Sequence, residues 1–320
     1  MTRIKLFFIA IVSSTVLFSC KKDDDSASVV PPRDRATQYA SDIADIESYL
    51  KTHYLTVTTD ANNNPIPAIT AIPEGGSQIS IWNQTEYPLQ FKMVKNDLRT
   101  YSTADPIVGK LIEDPVEYKL YYIKIREGVG QPARLLDSTL VTYKGHLLDG
   151  TQFDYRPNPI WLSQERVVSG WRNLMTEFKT GNAIDDPSNP GGTLLTDYGV
   201  GLLFIPSGLG YYNSPPSGSS VQAYSPLVFN LNLHSVKYTD ADGDGILSYL
   251  EDLNGNGNYY DDDTDGDGIP DFLDVDDDGD GTRTRTEIKD SFGNLYPFDL
   301  IPNCAGTTGG LKRYLDPSCE

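Results

Sequence analysis

A chain cannot close around an apolar core where its charge is unopposed, and here the charge is concentrated in one stretch. Between Asp240 and Glu287 stand seventeen acidic residues and two arginines, −15 of the formal −19 carried by all 320 residues. The remainder is nearly neutral. Such a tract either stays solvated or is ordered by bound cations. It also excludes nucleic acid as a partner, because phosphate binding needs clustered Lys and Arg.

The spacing within the tract decides between these states. Asp240, Asp242 and Asp244 precede Gly245, and Glu251 follows at the twelfth position; Asp276, Asp278 and Asp280 precede Gly281, with Glu287 at the twelfth. Hard oxygens at positions one, three and five, a glycine at six for the sharp turn and an acid at twelve make a calcium loop. Further ligand positions fall on Ile246, through its carbonyl, and on Ser248 and Thr282. Asp263, Asp265, Asp267 and Asp274 repeat the pattern, and Asp252, Asn254, Asn256 and Asp263 give a weaker copy. No flanking helices fit between loops so closely set, and Pro270 would break one. The array resembles thrombospondin type 3 repeats, in which the chain wraps a row of calcium ions with little apolar core. That resemblance implies structural calcium over residues 239–290.

The N-terminus bears on compartment. Arg3 and Lys5 precede an apolar run, Leu6 to Phe18, that falls short of the roughly 20 residues needed to cross a bilayer. Residues 1–19 therefore read as a cleaved signal. Leu17-Phe18-Ser19-Cys20 resembles the lipobox of bacterial lipoproteins. The resemblance implies lipid on Cys20 and attachment to the outer membrane of a Gram-negative cell, on its periplasmic or surface side. Lys21 to Asp25 resembles a surface-export tag, and residues 20–35 form a polar tether. With Cys20 lipidated, Cys304 and Cys319 remain in the tail, residues 291–320, as a disulfide pair in an oxidising space. His53, His146 and His234 lack metal-ligand spacing.

In residues 36–115, Tyr39, Ile43, Ile46, Leu50 and Tyr54 recur on one face and predict a helix over Ala36–Leu55. Short strands are expected at Gln78–Trp82 and Leu89–Val94. This region carries no chemical motif and reads as a support or dimer surface; nothing in the chain fixes an oligomeric state. In residues 116–238, strands are expected at Tyr118–Ile125, Leu135–Leu147, Leu202–Ile205 and Leu227–Val236, with a short helix at Gly170–Phe178. The fold class is α+β, a helix covering an antiparallel sheet. Asn182–Val200 reads as a loop.

Within residues 116–238 several fragments are familiar: Val141-Thr142-Tyr143-Lys144-Gly145, Leu148-Asp149-Gly150-Thr151-Gln152-Phe153-Asp154, Val167-Val168-Ser169-Gly170-Trp171, Ile205-Pro206-Ser207 with Tyr211, and Pro226-Leu227-Val228-Phe229. In this order they resemble the FKBP-type peptidyl-prolyl isomerases. The resemblance implies a half-open antiparallel sheet wrapped on a short helix. It also implies a pocket with Tyr143, Phe153 and Phe229 as walls, Trp171 as floor, Val167 and Val168 at the rim, Asp154 at the edge and Tyr211 offering its hydroxyl. The expected substrates are proline-containing proteins or peptides, and catalysis needs no cofactor. Ile160 stands where the family commonly has an aromatic wall residue, Tyr212 replaces a glycine, and Gln222-Ala223 replaces a Pro-Pro pair. These departures keep a non-catalytic peptide-binding or chaperone module open, and the calcium array keeps open a surface structural or adhesion lipoprotein.

Overall fold

The computed structural model describes residues 31–186 and 189–319; the segment expected to be a signal, Cys20 and the expected tether up to residue 30 lie outside the described residues. The chain begins with α1 (Arg35–Thr52), which runs into a hairpin of β1 (His53–Thr59) and β2 (Pro65–Ala71). Next come β3 (Leu89–Lys95) and a small pair, β4 (Arg99–Thr100) and β5 (Lys110–Leu111). Then follow β6 (Glu117–Arg126), β7 (Ser138–His146), β8 (Gln152–Ser163), α2 (Ser169–Met175), β9 (Asn182–Asp185), β10 (Thr193–Thr196), β11 (Gly199–Ile205) and β12 (Leu227–Lys237). Beyond β12 the chain is turns, short 3-10 segments and the four-residue α3 (Thr284–Glu287). Among the described residues no helix is long and apolar enough to cross a membrane.

Six strands form one antiparallel sheet in the order β3-β6-β11-β12-β7-β8. Every residue of the unalternating apolar run in β11 is buried, so both faces of the sheet must be covered there. Side chains alternate between the faces. Tyr118, Leu120 and Tyr122 of β6, Leu203 and Ile205 of β11, and Phe229 and Leu231 of β12 pack with Trp171, Leu174 and Met175 of α2. Tyr121, Ile123, Leu202, Phe204 and Val228 pack on the opposite face with Ile46, Tyr49 and Leu50 of α1. The close approach of α2 depends on Gly170, where an added Cβ would lie 2.4 Å from Cγ2 of Ile205.

Three segments depart from the sequence reading. First, α1 stops at Thr52, and Tyr54 falls in β1, because the run of β-branched and aromatic residues after His53 favours a strand. Second, Gln78–Trp82 is not a strand. The Ile81 and Trp82 N–H groups donate to the carbonyls of His53 (2.8 Å) and Leu50 (3.0 Å), so this segment caps the end of α1, and Ile81 and Trp82 pack in the cluster beneath it. Third, Asn182–Val200 is not all loop: it contains the β9–β10 hairpin and the start of β11. The edge strand β8, with Pro157 and Pro159, had no sequence signal of its own, since proline is tolerated in strands only at such edges.

The C-terminal part has two small apolar clusters. One joins Ile246, Ile288, Ile301, Tyr314 and Leu315; the other joins Tyr259 and Phe272 to Leu136 of the loop before β7. Cys304 and Cys319 are disulfide-bonded, with Cα atoms 5.2 Å apart.

A polar tie fastens α1 to the loop after β11. Asp42, 1% exposed, accepts from Ser207 N–H (2.7 Å), Ser207 Oγ (2.6 Å) and Gln38 Nε2 (2.6 Å). Removing the carboxylate leaves buried donors unpaired, so Asp42→Ala is expected to lower stability by about 1–3 kcal/mol. Urea unfolding followed by circular dichroism measures this; an unchanged midpoint would show that the tie contributes nothing.

Candidate functional site

The C-terminal half of β7, the adjoining part of β8, the N-terminus of α2 and the segment after β11 surround a cavity of about 210 Å³. Of the residues named from the sequence, Tyr143, Asp154, Val167, Val168, Trp171, Tyr211 and Phe229 line it. Phe153 stands just behind, its ring edge-on to Phe229 with centroids 5.4 Å apart. Trp171, 3% exposed, meets Tyr143 and Phe229 edge-to-face at 5.2 and 5.0 Å, the geometry in which aromatic quadrupoles attract. Tyr143 Oη donates to Asp154 Oδ2 at 2.6 Å. Burial, and then this carboxylate partner, push the Tyr143 ionisation well above its usual range, so its hydroxyl stays a donor. Burial and the Asp154 charge likewise raise Tyr211. Leu162 and Arg166 complete the lining. Ile160 instead pairs with Val141 across β7–β8, so the wall at this point is the aliphatic Leu162. Two larger hollows exist, of about 530 and 550 Å³. Of these rings the first borders only Tyr143 and the second none, and size without converging chemistry does not make a site.

The region before residue 116 positions the cavity floor, which the sequence did not disclose. Asp97 ion-pairs with Arg172 (2.6 Å) and accepts from Ser169 Oγ, both on α2 beside Trp171. Lys92 of β3 donates to the Asn173 carbonyl (3.2 Å) and Thr176 Oγ1 (2.9 Å). Tyr212, beside the cavity residue Tyr211, has φ +50°, the left-handed region that explains the glycine usual in the family. Its strain is offset by contacts: its hydroxyl donates to the Arg33 carbonyl, its ring meets Tyr224 edge-on at 5.1 Å, and the Arg35 guanidinium lies 4.3 Å over it.

The acidic loops adopt one repeated turn. Asp240 accepts from the N–H groups of Gly243 (2.8 Å) and Gly245 (3.2 Å), Asp242 from Asp244 and Asp244 from Ile246. Asp263, Asp265 and Asp267 repeat these bonds. Asp252, Asn254 and Asn256, and then Asp276, Asp278 and Asp280, repeat most of them. The trios Asp240–Asp242–Asp244, Asp263–Asp265–Asp267 and Asp276–Asp278–Asp280 each bring carboxylate oxygens within 4.8 Å of one another. Asn254 and Asn256 turn their amides to Asp261. Asp274 accepts from Asp276 N–H (3.0 Å), Thr282 donates its N–H to Asp280, and Ile246 is buried in the apolar cluster. Ser248 is fully buried, and its Oγ accepts from Ala241 N–H.

Glu251 and Glu287, 1% and 3% exposed, have carboxylate oxygens with no hydrogen-bond partner. Burial, reinforced by neighbouring carboxylates, pushes Glu251 up to about 11 and Glu287 up to about 8. Uncompensated buried charge is strongly unfavourable. The donor set is all hard oxygen, as calcium requires, so these residues fit that ion. Asp277, Asp262 and Asp271 are also buried in this array; they lie outside the assigned ligand positions, and sequence spacing passed over them.

Over 131 residues the chain is 27% identical to the peptidyl-prolyl cis-trans isomerase Mip of Coxiella burnetii, a match covering 40% of this chain and 47% of that protein. It is 29% identical over 121 residues to the FKBP-type peptidyl-prolyl cis-trans isomerase FkpA of Escherichia coli, covering 37% of this chain and 38% of the relative. The matched stretch is homologous to FKBP-type prolyl isomerases. The macrophage infectivity potentiator of Trypanosoma cruzi is 30% identical over 122 residues, 37% of this chain and 53% of the relative. The chain thus spans about half the length of these curated relatives, or less. Among solved structures, a prolyl isomerase from Pseudomonas syringae aligns over 37% of this chain and 75% of its own at 24% identity and a TM-score of 0.30. FkpA aligns over 37% and 48% at 29% identity, also with a TM-score of 0.30. Residues 241–309 match the family described as BamM C-terminal.

In the segment that matches the isomerases the aromatic set depends on a missing side chain. A Cβ on Gly145 of β7 would meet Phe153 Cζ at 2.6 Å and Phe229 Cε1 at 2.9 Å. Gly145→Ala should therefore displace both rings, weakening binding of a proline peptide while the far-ultraviolet spectrum stays unchanged. Calorimetric titration with a proline-containing peptide measures this; wild-type affinity in the variant would show that the rings do not shape the site.

Proposed function

We propose that this chain is a peptidyl-prolyl cis-trans isomerase of the Gram-negative envelope, held on the outer membrane by lipid at Cys20 and ordered by calcium in its C-terminal part. The observation that carries the catalytic reading is the small aromatic cavity floored by Trp171, set in a segment homologous to known isomerases. Rotation about a peptide bond faces a barrier of about 18–20 kcal/mol that comes from amide resonance. Twisting removes the resonance and leaves a less polar carbonyl. A dry aromatic cavity accepts that twisted amide better than the planar, hydrated one, which is differential binding of the transition state. Trp171, Phe229 and Tyr143 supply the apolar surface for the proline ring. Asp154, oriented by the Tyr143 hydroxyl, and the Tyr211 hydroxyl supply the polar edge, and the Val168 N–H would take a substrate carbonyl. No acid, base or covalent nucleophile is needed for a rotation.

Calcium in the acidic array is supported by the repeated turns and by the buried carboxylates without partners. Bound calcium would neutralise these groups, and its binding free energy would add to folding free energy. The envelope location is supported by the lipobox-like Cys20 and by the Cys304–Cys319 disulfide, a bond that persists mainly in oxidising compartments.

A peptide-binding module without turnover is the second reading, favoured by the aliphatic wall at Leu162. The full chain from Cys20 onward, assayed on a proline-containing tetrapeptide, separates the two. An isomerisation rate well above the uncatalysed one is expected, falling about tenfold in Tyr211→Phe and Asp154→Ala through loss of a hydrogen bond at the reacting amide. Binding of the peptide without acceleration would replace the enzyme with the binder.

A further inference from the structure

Asp277 is the least explained charge in the molecule. It occupies the second place of the loop that begins at Asp276, where the twelve-residue pattern takes no ligand. Its neighbours Asp276 and Asp278 join Asp280 in that loop's own trio. Asp277 is not part of that trio. Its carboxylate lies with those of Asp244 and Glu251, from the first loop, each contributing an oxygen within 4.8 Å of the other two. The three residues are 1%, 2% and 1% exposed. Both oxygens of Asp277, both of Glu251 and Oδ2 of Asp244 have no hydrogen-bond partner. Backbone contacts hold Asp277 in place: its N–H donates to Thr284 Oγ1 (3.1 Å), and the Thr284 N–H donates to the Val275 carbonyl (3.0 Å).

We propose that Asp244, Glu251 and Asp277 together bind one calcium ion, which ties the first acidic loop to the fourth. This rests on the calcium reading above and adds to it a ligand from a distant part of the chain. Three negative groups meeting in a buried space, with five oxygens unoccupied by donors, call for a cation of high coordination number. Calcium takes six to eight oxygens in flexible geometry, and the remaining places suit backbone carbonyls or water. Zinc favours nitrogen and sulfur with four ligands, and magnesium holds its water in a near-ideal octahedron. Asp244 also belongs to the Asp240–Asp242–Asp244 trio, so the cross-loop ion shares a ligand with the local turn. Such an ion closes a long loop of chain through its ligands, a link the small apolar cluster of Ile246, Ile288 and Tyr314 reinforces.

Protonation is the other way to relieve such a cluster, and the experiment separates the two. Calcium is added to the chelated full chain in a calorimeter, and backbone hydrogen exchange is followed with and without the ion. Wild type should bind calcium and gain protection over residues 242–251. Asp277→Asn, nearly isosteric, should lose that protection in a loop it does not belong to, with the affinity of one site falling at least about tenfold. Asp299→Asn, an exposed acid outside every loop, should leave protection at 242–251 intact. A wild-type chain that binds no calcium would overturn the calcium reading itself. A wild type that binds, with Asp277→Asn unchanged in affinity and protection, would overturn the cross-loop site alone. Anomalous scattering from wild-type crystals grown with calcium decides the matter without any variant. An ion about 2.3–2.6 Å from carboxylates of all three residues is expected; its absence from that position would refute the site.

Discussion

The whole arrangement depends on burying the central strand β11 on both sides. A strand of seven residues without a polar face needs cover above and below, and the two covers divide the labour. Helix α2 lies on one face and brings Trp171 to the floor of the cavity; α1 closes the other face with Ile46, Tyr49 and Leu50. The region before residue 116 is therefore built into the sheet, where β3 pairs with β6 along its length. It also reaches the cavity indirectly, because Asp97 and Lys92 grip α2 at Arg172, Ser169 and Asn173. The floor of the cavity is held from outside the segment that matches the isomerases.

The C-terminal part obeys the opposite physics. Its apolar clusters are small, and the groups it buries include carboxylates that no donor satisfies. In the sheet, apolar area removed from water drives packing at roughly 25 cal/mol per Å². In the acidic array the proposed calcium would take over that role by neutralising charge, with glycines such as Gly245 at φ +108° permitting turns that bring several carboxylates together. The two parts meet where Leu136 packs with Tyr259 and Phe272, and where the Arg99 guanidinium lies 3.9 Å over the Tyr260 ring.

The sequence disclosed what is local. The α+β class, the strands around Tyr118–Ile125 and Leu227–Val236, the helix at Trp171 and the acidic turns each leave a short-range pattern of aromatic, β-branched or glycine residues. The residues lining the cavity were named because family fragments keep their order. What stayed hidden depends on distant partners. Ile81 reads as a strand residue until the end of α1 is seen to need covering. Leu162 and Ile160 differ only by the register of β8, and two prolines blur that register. The ties from Asp42 to Ser207 and from Asp97 to Arg172 each start from a single acid, far away in sequence, that has no motif around it. Asp277 was masked by its own repeat, since spacing assigned the loop's ligands to its neighbours.

The central claim is that proline peptides bind over Trp171. The chain has three tryptophans, and the fold separates them: Trp82 packs beside Tyr121 on the α1 face, Trp161 is 51% exposed on β8, and Trp171 floors the cavity. Their indole N–H resonances, followed by nuclear magnetic resonance as a proline-containing tetrapeptide is added, report directly on the site. The account predicts a saturable shift of the Trp171 signal with Trp82 and Trp161 nearly still. Saturable shifts of Trp82 or Trp161 with Trp171 unmoved would contradict it.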